Sequence, residues 1–550
     1  MEQDGRRHRH ITIGRGHARP LRHHRNQTRP GPQTDHRRLL MSESIIPAVR
    51  ETPVEERWPK QSRGGASMLR LNAPGAIDGL TDAENELLAE LRDVWVSHSE
   101  RNAELTSYYE AKEPLKDFGL TMPKSITDHY TPLGWARKAV DMLTELCVFE
   151  GFVAPGMEDP FELQGFMASI GFTSVLQQAI QTAFIHGCSF LTVGRAGDGQ
   201  PTIRTHTAEA SAALWDYQNR HIKACMSICD QDKNGNATGL MLYMPERNIL
   251  LEKHDGRWSM PPDAMPEETV DGRCMAFRLA YKPTQVKPFG RSRISRDAMR
   301  IIDGANRTIC RAEGNAEFYS FPKILLLGTS ADIANMSDDQ ALSLYMGRWN
   351  AISKDIDGDS PSVVQLSAST MDPHLTMLKS WASMFAAATN IPASSLGVVA
   401  DSNPTSAEAT EAQREDLIIE ARHADRDFGE SILETIRMAV RMKDPSASES
   451  DLMKLQVDWM NPSMPATSMS ADAYSKLAGS ITGFGDSEVG LARAGLSRSE
   501  IIRLKADQRK ANASQILSQL RNEKANGGAN VLRQPQPATG TTQAAGTGPQ

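Results

Sequence analysis

The run TNIPASSLGVVADSNPTSAEA, residues 389 to 409, joins two helical patterns through a stretch that no regular element can hold. Ahead of it, Leu375, Leu378, Trp381, Ala382 and Phe385 recur at helical spacing, which predicts a helix from Asp372 to Asn390. Asp372 is the expected N-cap, with Pro373 at the first helical position. Pro392 stops that helix. Pro404 and the capping box Thr405-Ser-Ala-Glu408 start the next one. There Leu417, Ala421, Ala424, Phe428, Ile432, Ile436 and Ala439 form one apolar stripe. A helix over 404–442 would span roughly 55 Å. Two helices hinged by a Gly/Ser/Asn loop, with no reactive constellation between them, read as machinery rather than as an active site.

Upstream, Thr81-Asp-Ala-Glu84 is a second capping box, opening a helix that carries Leu87, Leu88, Leu91 and Trp95 on one face and runs to Tyr108-Tyr109. Further helices are expected from Pro132 through Leu143 and from Phe161 to His186. A buried strand follows at Gly187 to Val193. Between 200 and 285, short apolar runs alternate with turn residues, the pattern of antiparallel strands. A helix with Ala298, Ile301, Ile302, Ala305, Ile309 and Ala312 comes next, then strands at Phe321 to Gly328 and Val363 to Leu366 around a short helical piece, Gln340 to Trp349. Beyond a Pro/Ser/Met linker at 461–470, Ser497-Arg-Ser-Glu500 is a third capping box, and residues 526–550 have the composition of a disordered tail. The class is α+β.

Length and composition exclude several alternatives. At 550 residues the chain exceeds one compact unit, and 39% hydrophobic with 23% charged residues is ordinary for soluble protein. No apolar run approaches the ~18 residues a membrane span needs. Six scattered cysteines include one close pair, Cys225 and Cys229, with no second pair or nearby histidine pair for zinc, so reduced, inert thiols are expected. Residues 1–40 hold ten arginines, no lysine and three acids, so against the whole chain's net −7, residues 41–550 carry −14. An acidic body binds DNA phosphates poorly but suits a polyanion that must slide past. Residues 1–40 can be read as a basic nucleic-acid-binding arm, as a disordered extension, or as sequence upstream of a start at Met41.

Several segments, in order, carry a family resemblance: WARKAVD (135–141) with FEGF (149–152), GCSFLTV (187–193), FGRSRIS (289–295), DGANRTICRAEGNAEFYSFP (303–322), NIPASSLG and NPTSAEA. Together they make residues 80–520 resemble the portal proteins of tailed bacteriophages, in the SPP1-like form of long-tailed phages. One departure is Ala111, where the family often has glycine after Tyr-Tyr-x.

The resemblance implies a portal fold. Residues 1–74 would be a disordered basic extension, 75–290 an α/β wing, and 291–316 with 373–391 a two-helix stem. Residues 317–372 would form a small α/β clip, 392–405 a tunnel loop, 406–467 the long wing helix and its return, and 468–525 a helical crown. It further implies a homo-oligomeric, dodecameric ring at the capsid vertex of the virion, assembled in the host cytoplasm. Double-stranded DNA would pass through it. The implied partners are the terminase large subunit, a head–tail adaptor protein, and the major capsid and scaffolding proteins; no membrane and no cofactor are implied. Val398, Val399, Ala400, Asp401, Ser402 and Asn403 would then face the channel, and Lys323, Lys354, Asp355, Asp357 and Asp359 would meet motor or adaptor from the clip. The two clip strands could pair between neighbouring subunits.

Each sharp reading has a plain counterpart. Asp355-Ile-Asp-Gly-Asp359 looks like part of a calcium loop but has Leu366 where a bidentate glutamate is required. Trp381 and Phe385 fit packing better than DNA stacking, and His186 and His423 have no acid–nucleophile pattern around them. No phosphate loop, HExxH or GxSxG occurs, so a packaging ATPase must be another protein. Competing functions are a minor head-completion protein, usually shorter and without the two-helix–loop–long-helix arrangement, and a nucleic-acid enzyme, suggested only by the basic start.

Overall fold

The computed structural model describes residues 69–71, 76–116, 130–157, 159–196, 199–262, 266–319, 324–327, 362–365, 370–398, 407–463 and 467–529. The first helix, Asp82–Tyr109, opens on its capping box: Glu84 N–H donates to Thr81 Oγ1, and Glu84 returns the bond to Thr81 N–H at 2.8 Å. It ends as a Schellman motif, with Lys112 N–H bonded to Ser107 O and Ala111 N–H to Tyr108 O. That motif needs a left-handed residue, and Ala111 supplies it at φ +54°. The turn survives the absence of glycine, with strain in its place.

The second helix is Trp135–Thr144; Pro132 and Leu133 precede it instead of starting it, and Leu133 N–H bonds Asn306 Oδ1. The expected single helix from Phe161 to His186 is two, Leu163–Ile170 and Phe172–His186. Gly171 breaks it by taking φ +62° at the join, a conformation no α-helix accommodates.

Among the described residues, ten strands fill the first half. β1 is Phe149–Val153, β2 Cys188–Arg195, β3 Pro201–Thr207, β4 Ser211–Asp216 and β5 His221–Gln231. Then come β6 Ala237–Tyr243, β7 Arg247–His254, β8 Arg257–Ser259, β9 Glu267–Glu268 and β10 Ala276–Ala280. All the pairings are antiparallel, as the alternating pattern predicts: one sheet runs β10-β2-β3, the other β4-β5-β6-β7-β8 with β9 on β7. Two cores result. Leu88, Leu91 and Trp95 of the first helix cover the larger sheet. The three-stranded sheet packs with the 135–144 and 172–186 helices against the long helix. None of the six cysteines forms a disulfide, and of the six only Cys229 is exposed.

Helix Arg296–Tyr319 pairs with helix Asp372–Thr389. Asp372 is the first residue of the latter, whose N-cap is Met371, with no side-chain capping bond. Between them, β11 (Ile324–Leu327) and β12 (Ser362–Gln365) pair antiparallel with each other within the chain. The expected helical piece at 340–349 lies outside the described residues.

The long helix is described from Ala407 to Lys443, so its proposed start at Pro404 and Thr405 is not. A short helix, Glu449–Leu452, leads to β13, Gln456–Trp459, which returns across the chain to pair with β1. The helices Thr467–Ser480, Glu488–Arg493 and Arg498–Ala529 complete the described residues. The last opens on the Ser497–Glu500 capping box and extends into the segment whose composition suggested disorder.

Candidate functional site at the helix junction

Four segments converge where the Asp372–Thr389 helix ends. Asn390 terminates it in the left-handed region, φ +54°, which asparagine tolerates better than most residues. Ile391 and Leu396 are buried, and Val398 packs half-buried against the same core. From the other side, Leu417 and Ile418 seat the long helix.

A charged group sits at the centre of this apolar contact. Arg293, in the segment entering the Arg296–Tyr319 helix, has a side chain 2% exposed and pairs with Glu420 of the long helix, 6% exposed, at 2.9 Å. Every arm of the guanidinium is used. Nε donates to Ala139 O and Nη2 to Thr389 O, both at 2.7 Å, while Nη1 reaches the Tyr281 hydroxyl at 3.2 Å. Thr389 O is one of the carbonyls that a helix end leaves without a partner, so Arg293 also caps that helix.

Glu420 accepts from Tyr281 Oη and Lys282 Nζ on one oxygen, and from Arg293 and Asn390 Nδ2 (3.3 Å) on the other. Burial alone would raise its pKa. The charge of Arg293, with the hydrogen bonds from Lys282, Tyr281 and Arg293, outweighs burial and brings it down to about 2. A buried ion pair rarely adds much net stability, but it orients what it touches. Here it ties both paired helices, β10 and the long helix to one point.

The helix pair is keyed a little further along. A Cβ on Gly304 would lie 2.8 Å from the Trp381 ring, so only glycine lets the indole sit flat there, and Trp381 Nε1 donates to Thr308 Oγ1 at 3.2 Å. Phe385 is fully buried beside Trp135. Both aromatics pack. The His186 side chain is likewise covered, 3% exposed, its pKa lowered to about 4 by desolvation, and it contacts Thr106 Oγ1 at 3.0 Å.

One and a half turns beyond Glu420, Asp425 is also buried, but its Oδ1 has no partner. Burial pushes its pKa up to about 7, and a hydrogen bond with Cys147 offsets this only in part.

Val398 is the one predicted channel residue among those described; Val399, Ala400, Asp401, Ser402 and Asn403 lie outside them, as do Lys323, Lys354, Asp355, Asp357 and Asp359. Among the described residues no group of three or more potential metal ligands occurs, and no helix is long and apolar enough to cross a membrane. Arg293, Tyr281, Lys282 and Glu420 are not singled out by the sequence reading. Glu420 does leave a signal: it is an acid in register with Leu417, Ala421 and Ala424 on the apolar stripe.

Residues 91–513 match the family model described as phage portal protein, SPP1 Gp6-like. The chain belongs to that family. It is 25% identical over 421 residues to the portal protein of Mycobacterium phage L5, covering 73% of this chain and 84% of the relative. It is 27% identical over 388 residues to that of Mycobacterium phage D29, covering 68% and 78%. Among solved structures it is similar to a chain from the neck of a native gene transfer agent (GTA) particle, at TM-score 0.40 and 13% identity, covering 73% of this chain and 92% of that one. The matched span of this portal protein includes both sheets, the paired helices and every residue of the Arg293–Glu420 junction.

Proposed function

We propose that the chain is one subunit of a ring-shaped conduit at a capsid vertex, through which double-stranded DNA enters under a terminase motor and later leaves, and to which head–tail adaptors attach. Its part is mechanical, with no catalytic step of its own. Residues 75–290 form the wing, 291–316 and 373–391 the stem, 317–372 the clip, 392–405 the tunnel loop, 406–467 the long wing helix and return, and 468–525 the crown.

The observation that carries this reading is the junction. Arg293 and Glu420 hold the end of one helix and the flank of another, so the described residues on either side of 399–406 are fixed to one another. The exposed side of the Asp372–Thr389 helix supports it too. Thr376, Met377, Ser380, Ser383, Met384 and Ala387 make an exposed, uncharged stripe there, with Lys379 at its edge. Such a surface allows close packing between copies, or a passing polyanion, without gripping it.

Negative-stain microscopy of the purified chain should show annular oligomers with an axial hole; a stable monomer overturns the proposal. Replacing residues 399–403 by glycines, and sparing the packed Val398, should leave rings intact while particles lose packaged DNA. Particles with normal DNA content would refute the loop assignment.

A further inference from the structure

Gly151, in Phe149-Glu-Gly-Phe152, plays no part in the junction. It sits at a bulge of the β1–β13 pair, where the register shifts between Phe149 and Gly151 and Gly151 faces Asp458. The space above its Cα is filled from a distant part of the chain. A Cβ there would lie 3.2 Å from Arg498 Nη1 and 3.3 Å from Arg498 Cζ, tighter than ordinary contact. The guanidinium is held where it is: Nη1 donates to Asp458 Oδ2, and Nη2 to Phe152 O at 3.2 Å.

Arg498 is also the first residue of the Arg498–Ala529 helix. A cation at a helix N-terminus opposes the macrodipole, so helix stability does not explain an arginine at this position. Ser497 and Glu500 already satisfy the helix start without it. The remaining explanation is what its side chain grips.

We propose that Arg498 is the latch seating the C-terminal helical unit, residues 467–529, on the β1–β13 pair, and that a side chain at position 151, where φ is +156° and glycine is already favoured, would press on that guanidinium. The inference is independent of the conduit reading, since it concerns only how this unit is held. Arginine suits the seat because its planar fork serves a carboxylate and a carbonyl at once; lysine could reach only one of them.

Amide exchange of the intact chain tests this. Arg498→Ala should speed exchange across 488–510 roughly five- to tenfold, the loss expected for two charge-assisted hydrogen bonds at a partly exposed site, and leave β2 and β3 unchanged. Arg498→Lys should give a smaller increase and serves as the measurement should the alanine variant fail to fold.

The deciding arm is Gly151→Ala, made both in the parent chain and together with Arg498→Ala. Any backbone cost of alanine at this φ is common to the two backgrounds. If the guanidinium fills the site, the substitution disturbs 488–510 far more in the parent, where Arg498 is present, than in the chain already carrying Arg498→Ala. Equal effects in the two backgrounds, or unchanged exchange in both Arg498 variants, overturn the latch.

Discussion

The Arg293–Glu420 junction and two other places in the fold, Ala111 and Asp425, answer the same physical demands in opposite ways. At the junction a helix must end in a left-handed residue, and Asn390 is there; a carboxylate must be buried, and Glu420 has an arginine, a lysine, a tyrosine and an asparagine around it. Elsewhere, the first helix ends in a left-handed alanine, Ala111, and Asp425 is buried with one oxygen unpartnered. Burial and backbone shape are alike in the two places. The supply of partners differs, and that decides whether a buried acid is charged and rigidifying or neutral and costly.

The largest expected effect breaks the satisfied side. Glu420→Ala leaves Arg293 buried without its counter-ion and should cost about 3–5 kcal/mol in urea denaturation followed by tryptophan fluorescence. A loss under ~1 kcal/mol would mean that the network is ornamental. The folded pKa of Glu420 is depressed, so its contribution is present above the ordinary carboxylate range and lost as pH falls through about 2.

Asp425 has the opposite sign. Its folded pKa is raised, so stability is greatest below the unfolded value of ~3.9 and is lost as pH rises through about 7, where the penalty levels off. Asp425→Asn should therefore stabilise by on the order of 2–4 kcal/mol at pH 7–8 and by almost nothing near pH 4. A gain independent of pH would remove the charge explanation. The smallest effect concerns the backbone: Ala111→Gly should raise stability by roughly 1 kcal/mol by relieving the left-handed alanine, whereas Asn390→Gly, which also removes a hydrogen bond to Glu420, should bring no such gain. A destabilising Ala111→Gly would show that the side chain matters more than the turn.

Much of the fold is legible in the sequence because its signals are local. The capping boxes at Thr81 and Ser497 start helices where their hydrogen-bond chemistry requires, and alternation across 200–285 specifies antiparallel strands. Asp372-Pro373 misleads because a proline near a helix start tolerates either of two positions, and the backbone uses Met371 as the cap. Gly171 gives no warning of its break, because a single glycine within an apolar helical pattern does not reveal its φ. At the site, the apolar stripe of the long helix can be read, but not its charged member's partners, since Arg293 and Tyr281 lie more than 100 residues away from Glu420.

From its residues alone this portal chain already specified a helix that stops ahead of Pro392, a long amphipathic helix after it, and a net acidic charge over residues 41–550, because periodicity, helix breakers and charge are properties of neighbours along the chain. Only tertiary structure decided that Arg293 and Glu420 meet, that the pKa of Glu420 falls while that of Asp425 rises, and that Arg498 lies over Gly151. Those outcomes depend on which distant groups share one dehydrated volume, and no local pattern in a sequence encodes that.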